Sequence, residues 1–266
     1  MIDYLHRSMG GAEIYFVANR SNRWEEARCT FRVADKAPEL WDAVSGERHF
    51  AAAYEEKNGR TTLPLEFSPC GSCFVVFREP ASQHPPTSLR NSPQLKPAGE
   101  LSGPWTAQFD PKWGVPESAQ FDQLASWTTR AEPGIKYYSG TVAYTKTFDA
   151  PFASRITDHA SRLFLDLGRL RELAQVRLNG KDLGIVWAPP FRVEITDAVK
   201  PTGNALEIEV VNFWPNRIIG DQFLPPEQRF TRTNIRKLTK DTPLMESGLL
   251  GPVQFLEQPL TEKAGN

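Results

Sequence analysis

Residues Arg162–Asp221 read RLFLDLGRLRELAQVRLNGKDLGIVWAPPFRVEITDAVKPTGNALEIEVVNFWPNRIIGD, and this stretch decides the fold. Leu163, Leu165 and Leu167 alternate with Phe164 and Asp166. Ala174, Val176 and Leu178 alternate with Gln175 and Arg177, and Leu206, Ile208 and Val210 alternate with Glu207 and Glu209. A period of two places each apolar set on one face of a strand, with a core on one side and water on the other. Asn179-Gly180 separates two such runs, and Asn-Gly is a strong hairpin signal because both turn positions take positive φ. Pro189-Pro190 and Pro201-Thr202-Gly203-Asn204 break the other runs. Short antiparallel strands at close spacing predict an all-β sandwich.

The words LDLGRLRELAQVRLNGKDLGIVWAPPFRVEIT and NALEIEVVNFWPNRIIGD resemble the sugar-binding jelly-roll domain attached to family 2 glycoside hydrolases. They resemble still more closely the C-terminal part of the large bacterial α-L-rhamnosidases of family 106. YSGTVAYTKTF, SWTTRAEPGIKYYSG and the early HRSMGGAEIYFVANRSNRWEEARCTFRVADKAPELWDAVSGE fit the same pattern, in the expected order. The resemblance covers most of the chain. It implies a galactose-binding-like fold and a glycosidase context. In that family the catalytic carboxylates lie in a large (β/α) barrel that precedes these words. This chain is expected to start at the last of that region, and 266 residues do not also hold a barrel of typical size.

The resemblance and the composition together divide the chain. Residues 1–80 are expected to form a small β-sandwich from runs such as Ile14–Val17, Cys29–Val33, Thr61–Phe67 and Cys73–Phe77. Residues 81–99, ASQHPPTSLRNSPQLKPAG, read as an extended Pro/Ser-rich linker in which His84 is solvated. Residues 100–260 read as the galactose-binding-like jelly roll, with 261–266 a disordered tail. Within it, Pro116–Leu124 suggests one helical turn. Ser126–Thr128 and Tyr144–Phe148 read as strands. The segment after Asp221 reads as a long ordered loop before a closing strand at 250–255. In the resembling enzymes the first domain packs on the barrel, so apolar surface without that cover favours a homo-oligomer.

Charge and motif counts exclude several classes. Thirty-one basic against 32 acidic residues leave a net charge of −1, unlike the basic excess of nucleic-acid binders. No apolar run is long enough to span a bilayer. MIDYLHRSMGG lacks the apolar centre of a signal peptide. Cys29, Cys70 and Cys73 are an odd set, and Cys70-Gly-Ser-Cys73 has no second pair or His cluster to complete a zinc site. No nucleophile elbow, P-loop or dinucleotide fingerprint occurs. No cofactor is expected. The resemblance to galactose-binding-like jelly rolls, where calcium sites are common, implies a structural calcium for which Asp149, Asp166 and Glu172 offer oxygen donors, although no calcium loop of defined spacing exists.

Two chemistries fit the remaining residues. A glycosidase needs a carboxyl pair about 5 Å apart for retention or 6.5–9.5 Å for inversion. Asp221 and Glu227, in NRIIGDQFLPPEQR, are the best pair for a compact stand-alone hydrolase. The alternative is an Asp221 that caps the Gly220 turn or pairs with Arg217. Carbohydrate binding instead needs aromatic faces flanked by polar groups. Tyr137, Tyr138, Trp187, Trp214, Asn216 and Arg217 supply that combination, with Trp24 and Trp41 as lesser candidates. The expected partner is therefore a mono- or oligosaccharide, bound by an accessory region without the barrel. A structural assembly domain is the third alternative.

Overall fold

The computed structural model describes residues 1–152, 154, 156, 161–234 and 236–259. The expected tail 261–266 lies outside the described residues. The chain divides into two compact units, one of 1–94 with 188–190 and one of 95–187 with 191–266. Both are built from antiparallel strands, so the chain is all-β.

The first unit contains β1 (Ile2–Met9), β2 (Ala12–Asn19), β3 (Glu25–Phe31), β4 (Lys36–Asp42), β5 (Arg48–Phe50), β6 (Glu55–Lys57), β7 (Arg60–Phe67) and β8 (Ser72–Pro80). One sheet runs β1-β2-β8-β4-β5 and the other β3-β7-β6. Alternation in β2, β7 and β8 turns Tyr15, Val17, Leu63, Leu65, Phe67, Val75 and Phe77 into the core. β1 is an edge strand with Tyr4, Leu5 and Met9 exposed. Trp41 lies under the guanidinium groups of Arg48 and Arg78, at 5.9 and 5.6 Å from its ring centre, while Trp24 is exposed. His84 is not simply solvated. Its ring stacks on Phe50, with centroids 3.4 Å apart. Asn91 ties its segment to this unit by donating to the carbonyls of Ala53 and Pro64.

The second unit contains β9 (Lys96–Glu100), β10 (Trp105–Gln108), β11 (Ser118–Phe121), α1 (Pro133–Lys136), β12 (Thr141–Phe148), β13 (Ser161–Asp166), β14 (Arg169–Arg171), β15 (Leu173–Leu178), β16 (Lys181–Val186), β17 (Arg192–Glu194), β18 (Asn204–Val211), α2 (Pro215–Asp221), β19 (Gly248–Gly251) and β20 (Gln254–Pro259). A six-stranded sheet runs β11-β10-β12-β18-β15-β16. It faces a four-stranded sheet, β17-β13-β20-β9, and β14 pairs with β19. The alternating residues of the opening stretch form one core from both sheets. Leu163, Leu165 and Phe255 come from the smaller sheet, and Val142, Tyr144, Val176, Ile208 and Val210 from the larger. Asn179 and Gly180 take φ of 53° and 80°, as the Asn-Gly hairpin requires.

Three local expectations differ. Within Pro116–Leu124 the chain forms β11, because Thr106, Ala107 and Gln108 on β10 offer a ladder that a lone helical turn lacks. Trp127–Thr129 is a 3₁₀ turn capped by the Ser126 hydroxyl, which accepts from the Thr128 amide. The Trp127 indole then donates to the Tyr144 hydroxyl at 2.5 Å inside the core. The third is the appearance of α2 where the sequence offers no helical period. The closing strand is in fact a pair, β19 and β20.

Candidate functional site

Strand register brings most of the sugar-binding candidates to one end of the six-stranded sheet. Thr141, which starts β12, lies opposite Val211, which ends β18. Val211 lies opposite Leu173, which starts β15, and Ala174 lies opposite Val186, which ends β16. Tyr137 and Tyr138 precede β12, α2 follows β18, and Trp187 follows β16. All three segments therefore emerge at the same end, across three strand spacings or roughly 15 Å.

α2 is short and mostly buried. Pro215 fills its first turn, where a missing amide proton costs nothing. Asn216 donates to the Met245 carbonyl at 2.7 Å and the Ser247 hydroxyl at 2.9 Å, and accepts from the Met245 amide. Asn212 accepts from Gly140 N–H and donates to the Tyr138 carbonyl and Ser247 hydroxyl. Ser139 donates to the Phe213 carbonyl and accepts from the Arg217 amide. Gly220 is required here, since a Cβ on it would lie 2.6 Å from Tyr137 Cβ. These bonds lock the 137–140 loop, α2 and residues 245–247 into one frame.

The frame holds up a layer of aromatic rings. Trp214 meets Trp113 edge-on at 5.5 Å, and Trp113 lies 6.3 Å from Phe230. Tyr137 lies 5.6 Å from Phe223 at 32°. Phe213, Trp214 and Phe223 are each about half exposed, at 55, 51 and 50 %, and Phe230 at 40 %. Trp187 is exposed as well. Trp113, Phe213, Phe223 and Phe230 escaped the sequence reading, because isolated aromatics in irregular segments carry no periodic signal.

Other candidates are committed within the fold. Tyr138 is 1 % exposed, edge-on to Phe109 and Trp127. Asn216 and Arg217 are buried too. Tyr138 packs on the buried Phe109 and Trp127, and Asn216 ties α2 to residues 245–247. Arg217 Nε lies 3.1 Å from Asp221 Oδ1, and its guanidinium sits 4.8 Å over Phe230. Burial pulls that guanidinium below its ordinary value, against the attraction of Asp221. Asp221 Oδ2 accepts from the Thr231 amide at 2.7 Å and the Thr231 hydroxyl at 2.5 Å. The Arg217 pairing named as the alternative role for Asp221 is thus present. Glu227 sits exposed on a 3₁₀ turn, Pro226–Gln228.

Beyond α2 a cavity of about 450 Å³ opens, lined by residues that include Asp221, Thr231, Arg229, Arg232 and Arg236. The three arginines were also missed. Their signal was the basic density of residues 229–240. Two of the three oxygen donors weighed for calcium serve elsewhere: Asp166 pairs with Arg192 at 2.7 Å, and Asp149 accepts from the Gly203 amide. Among the described residues no cluster of three or more acidic, His or Cys side chains could hold a metal ion. None of their helices is long and apolar enough to cross a membrane.

Residues 1–56 match the family model described as alpha-L-rhamnosidase. The solved rhamnosidase of Novosphingobium sp. PP1Y superposes with a TM-score of 0.85 at 36 % identity, over 97 % of this chain. The chain is rhamnosidase-like. It is related to the glycoside hydrolases, and the accessory-region resemblance extends through both units. A Formosa agariphila protein whose name assigns it provisionally to the beta-glucuronidases is 37 % identical over 178 residues, 58 % of this chain. A Ruminococcus gnavus beta-glucuronidase matches at 19 % identity over 64 % of this chain and 30 % of its own, with a TM-score of 0.42, too distant to carry an argument. The rhamnosidase-like chain spans 24 % of the Novosphingobium protein and 15 % of the Formosa one.

Proposed function

We propose that the rhamnosidase-like chain is a carbohydrate-binding accessory region of a glycoside hydrolase, and that its second unit holds the saccharide. The gathering of Tyr137, Trp187, Trp214 and Phe223 at one end of a rigid sheet carries this reading. The apolar C–H face of a sugar ring stacks on such rings, and the side chains that orient them are locked by buried hydrogen bonds. Rings half exposed on a monomer otherwise cost free energy in water.

A compact hydrolase built on Asp221 and Glu227 fits less well. A nucleophile or general base needs a carboxylate oxygen free to face the substrate. In Asp221 one oxygen faces Arg217 and the other takes both Thr231 donors. The exposed Tyr4, Leu5 and Met9 of β1 are the surface on which the self-association reading rests.

Titration calorimetry with neutral and acidic oligosaccharides tests the proposal, alongside a panel of nitrophenyl glycosides. Binding without turnover is expected. Trp214→Ala should weaken it roughly tenfold, because a buried aromatic anchor contributes more than about 1 kcal/mol. Turnover lost in Asp221→Asn or Glu227→Gln would replace this reading with the hydrolase. Failure to bind any saccharide, with a stable oligomer in solution, would replace it with an assembly role.

A further inference from the structure

We propose that the bound saccharide carries an acidic group, a carboxylate or a sulfate ester, received by the cavity of Arg229, Arg232 and Arg236; this rests on the carbohydrate reading above. The cavity of about 450 Å³ falls in the size range of small-ligand sites. It adjoins the aromatic layer, since Asp221 ends α2 and Phe223 and Phe230 belong to the same segment. Residues 226–240 carry five basic side chains against Glu227 alone, in a chain whose net charge is −1. The positive charge is therefore local.

The arginines have little to neutralise them. Arg229 Nε donates to the Leu224 carbonyl, which leaves its terminal nitrogens. Arg232 and Arg236 form no hydrogen bond or ion pair with a described residue. Asp221, the one carboxylate in the wall, is already held by Arg217. The three arginines that line this one concavity repel each other as like charges. They also present planar donor forks that match a carboxylate or sulfate, which a neutral hydroxyl cannot exploit equally.

Calorimetry on the full chain tests this with three oligosaccharides of equal length: a galacturonate, a sulfated galactan and a neutral galactan. One or both acidic ligands should bind at least about tenfold tighter than the neutral one, and which of them does identifies the group. Arg232→Gln with Arg236→Gln should abolish that advantage. Both side chains are exposed, and circular dichroism verifies that the variant folds. Arg7→Gln with Arg60→Gln, an equal charge change on exposed residues of the first unit, should leave the advantage intact. Equal binding of neutral and acidic ligands, unaffected by the cavity variant, overturns the acidic inference while the carbohydrate reading survives. An equal loss in the control variant also overturns it, as general attraction of a polyanion. Binding of no saccharide overturns both.

Discussion

Asp221 and Arg217 show how a charged residue in an unusual loop can serve the fold first. Both are almost fully buried, 3.1 Å apart, with Thr231 donating twice to the other carboxylate oxygen. Removing one charge strands the other in the interior. Asp221→Asn should therefore destabilise the chain by about 3–5 kcal/mol in urea denaturation. Replacing both, Arg217→Met with Asp221→Leu, should cost much less; equal losses would show that the carboxylate's own bonds dominate. The sequence named the pairing as one alternative role for Asp221, but neither the helix that sets its i,i+4 spacing nor its depth in the fold was visible, because nothing local marks α2 as interior. Cysteine chemistry is a second residue-scale case. Cys70 is exposed, whereas burial pushes the Cys73 thiol up to about 12. At pH 8 iodoacetamide should label Cys70 first and leave Cys73 protonated and unreacted in the folded chain, as peptide mass mapping would read.

Elements with a period of two were legible, since β13, β15 and β18 alternate buried and partly exposed as their leucines and valines do. Elements shaped by tertiary contact were not. β11 needs β10 as a partner, and the seven residues of α2 stand on Asn212, Asn216 and Ser247 rather than on helix propensity. Gly220→Ala should lower stability through the clash with Tyr137, detectable as a drop in Tm; an unchanged Tm would mean that α2 and the 137–140 loop move apart freely. Cross-strand charge is also testable. Arg162 bonds Glu194 across β13 and β17 and, as the largest cause, holds its carboxyl below the ordinary value of 4.5. A depressed carboxylate stabilises the fold above its unfolded value and loses that contribution as pH falls through the folded one. Thermal stability should thus decline below about pH 4.5, and Glu194→Gln should flatten that decline by less than about 1 kcal/mol, given its exposure.

Across the whole molecule, two β-rich units and the family resemblance were readable because the quoted words keep their order along the chain. The aromatic end of the larger sheet was readable only in part. Trp187 and Trp214 were singled out, but their meeting at one sheet end follows from register between β12, β18, β15 and β16, which no single strand encodes. The arginine cavity depends on how residues 221–239 fold back on α2, which composition hints at and spacing does not. The most direct test is a crystal of the chain soaked with a galacturonate oligosaccharide. The account predicts electron density for a sugar ring against Trp214, Tyr137 or Phe223, with its acidic group toward Arg232 and Arg236. A saccharide seated at the opposite end of the sheet, beside the Asn179-Gly180 turn, or on Trp24 in the first unit, would contradict it.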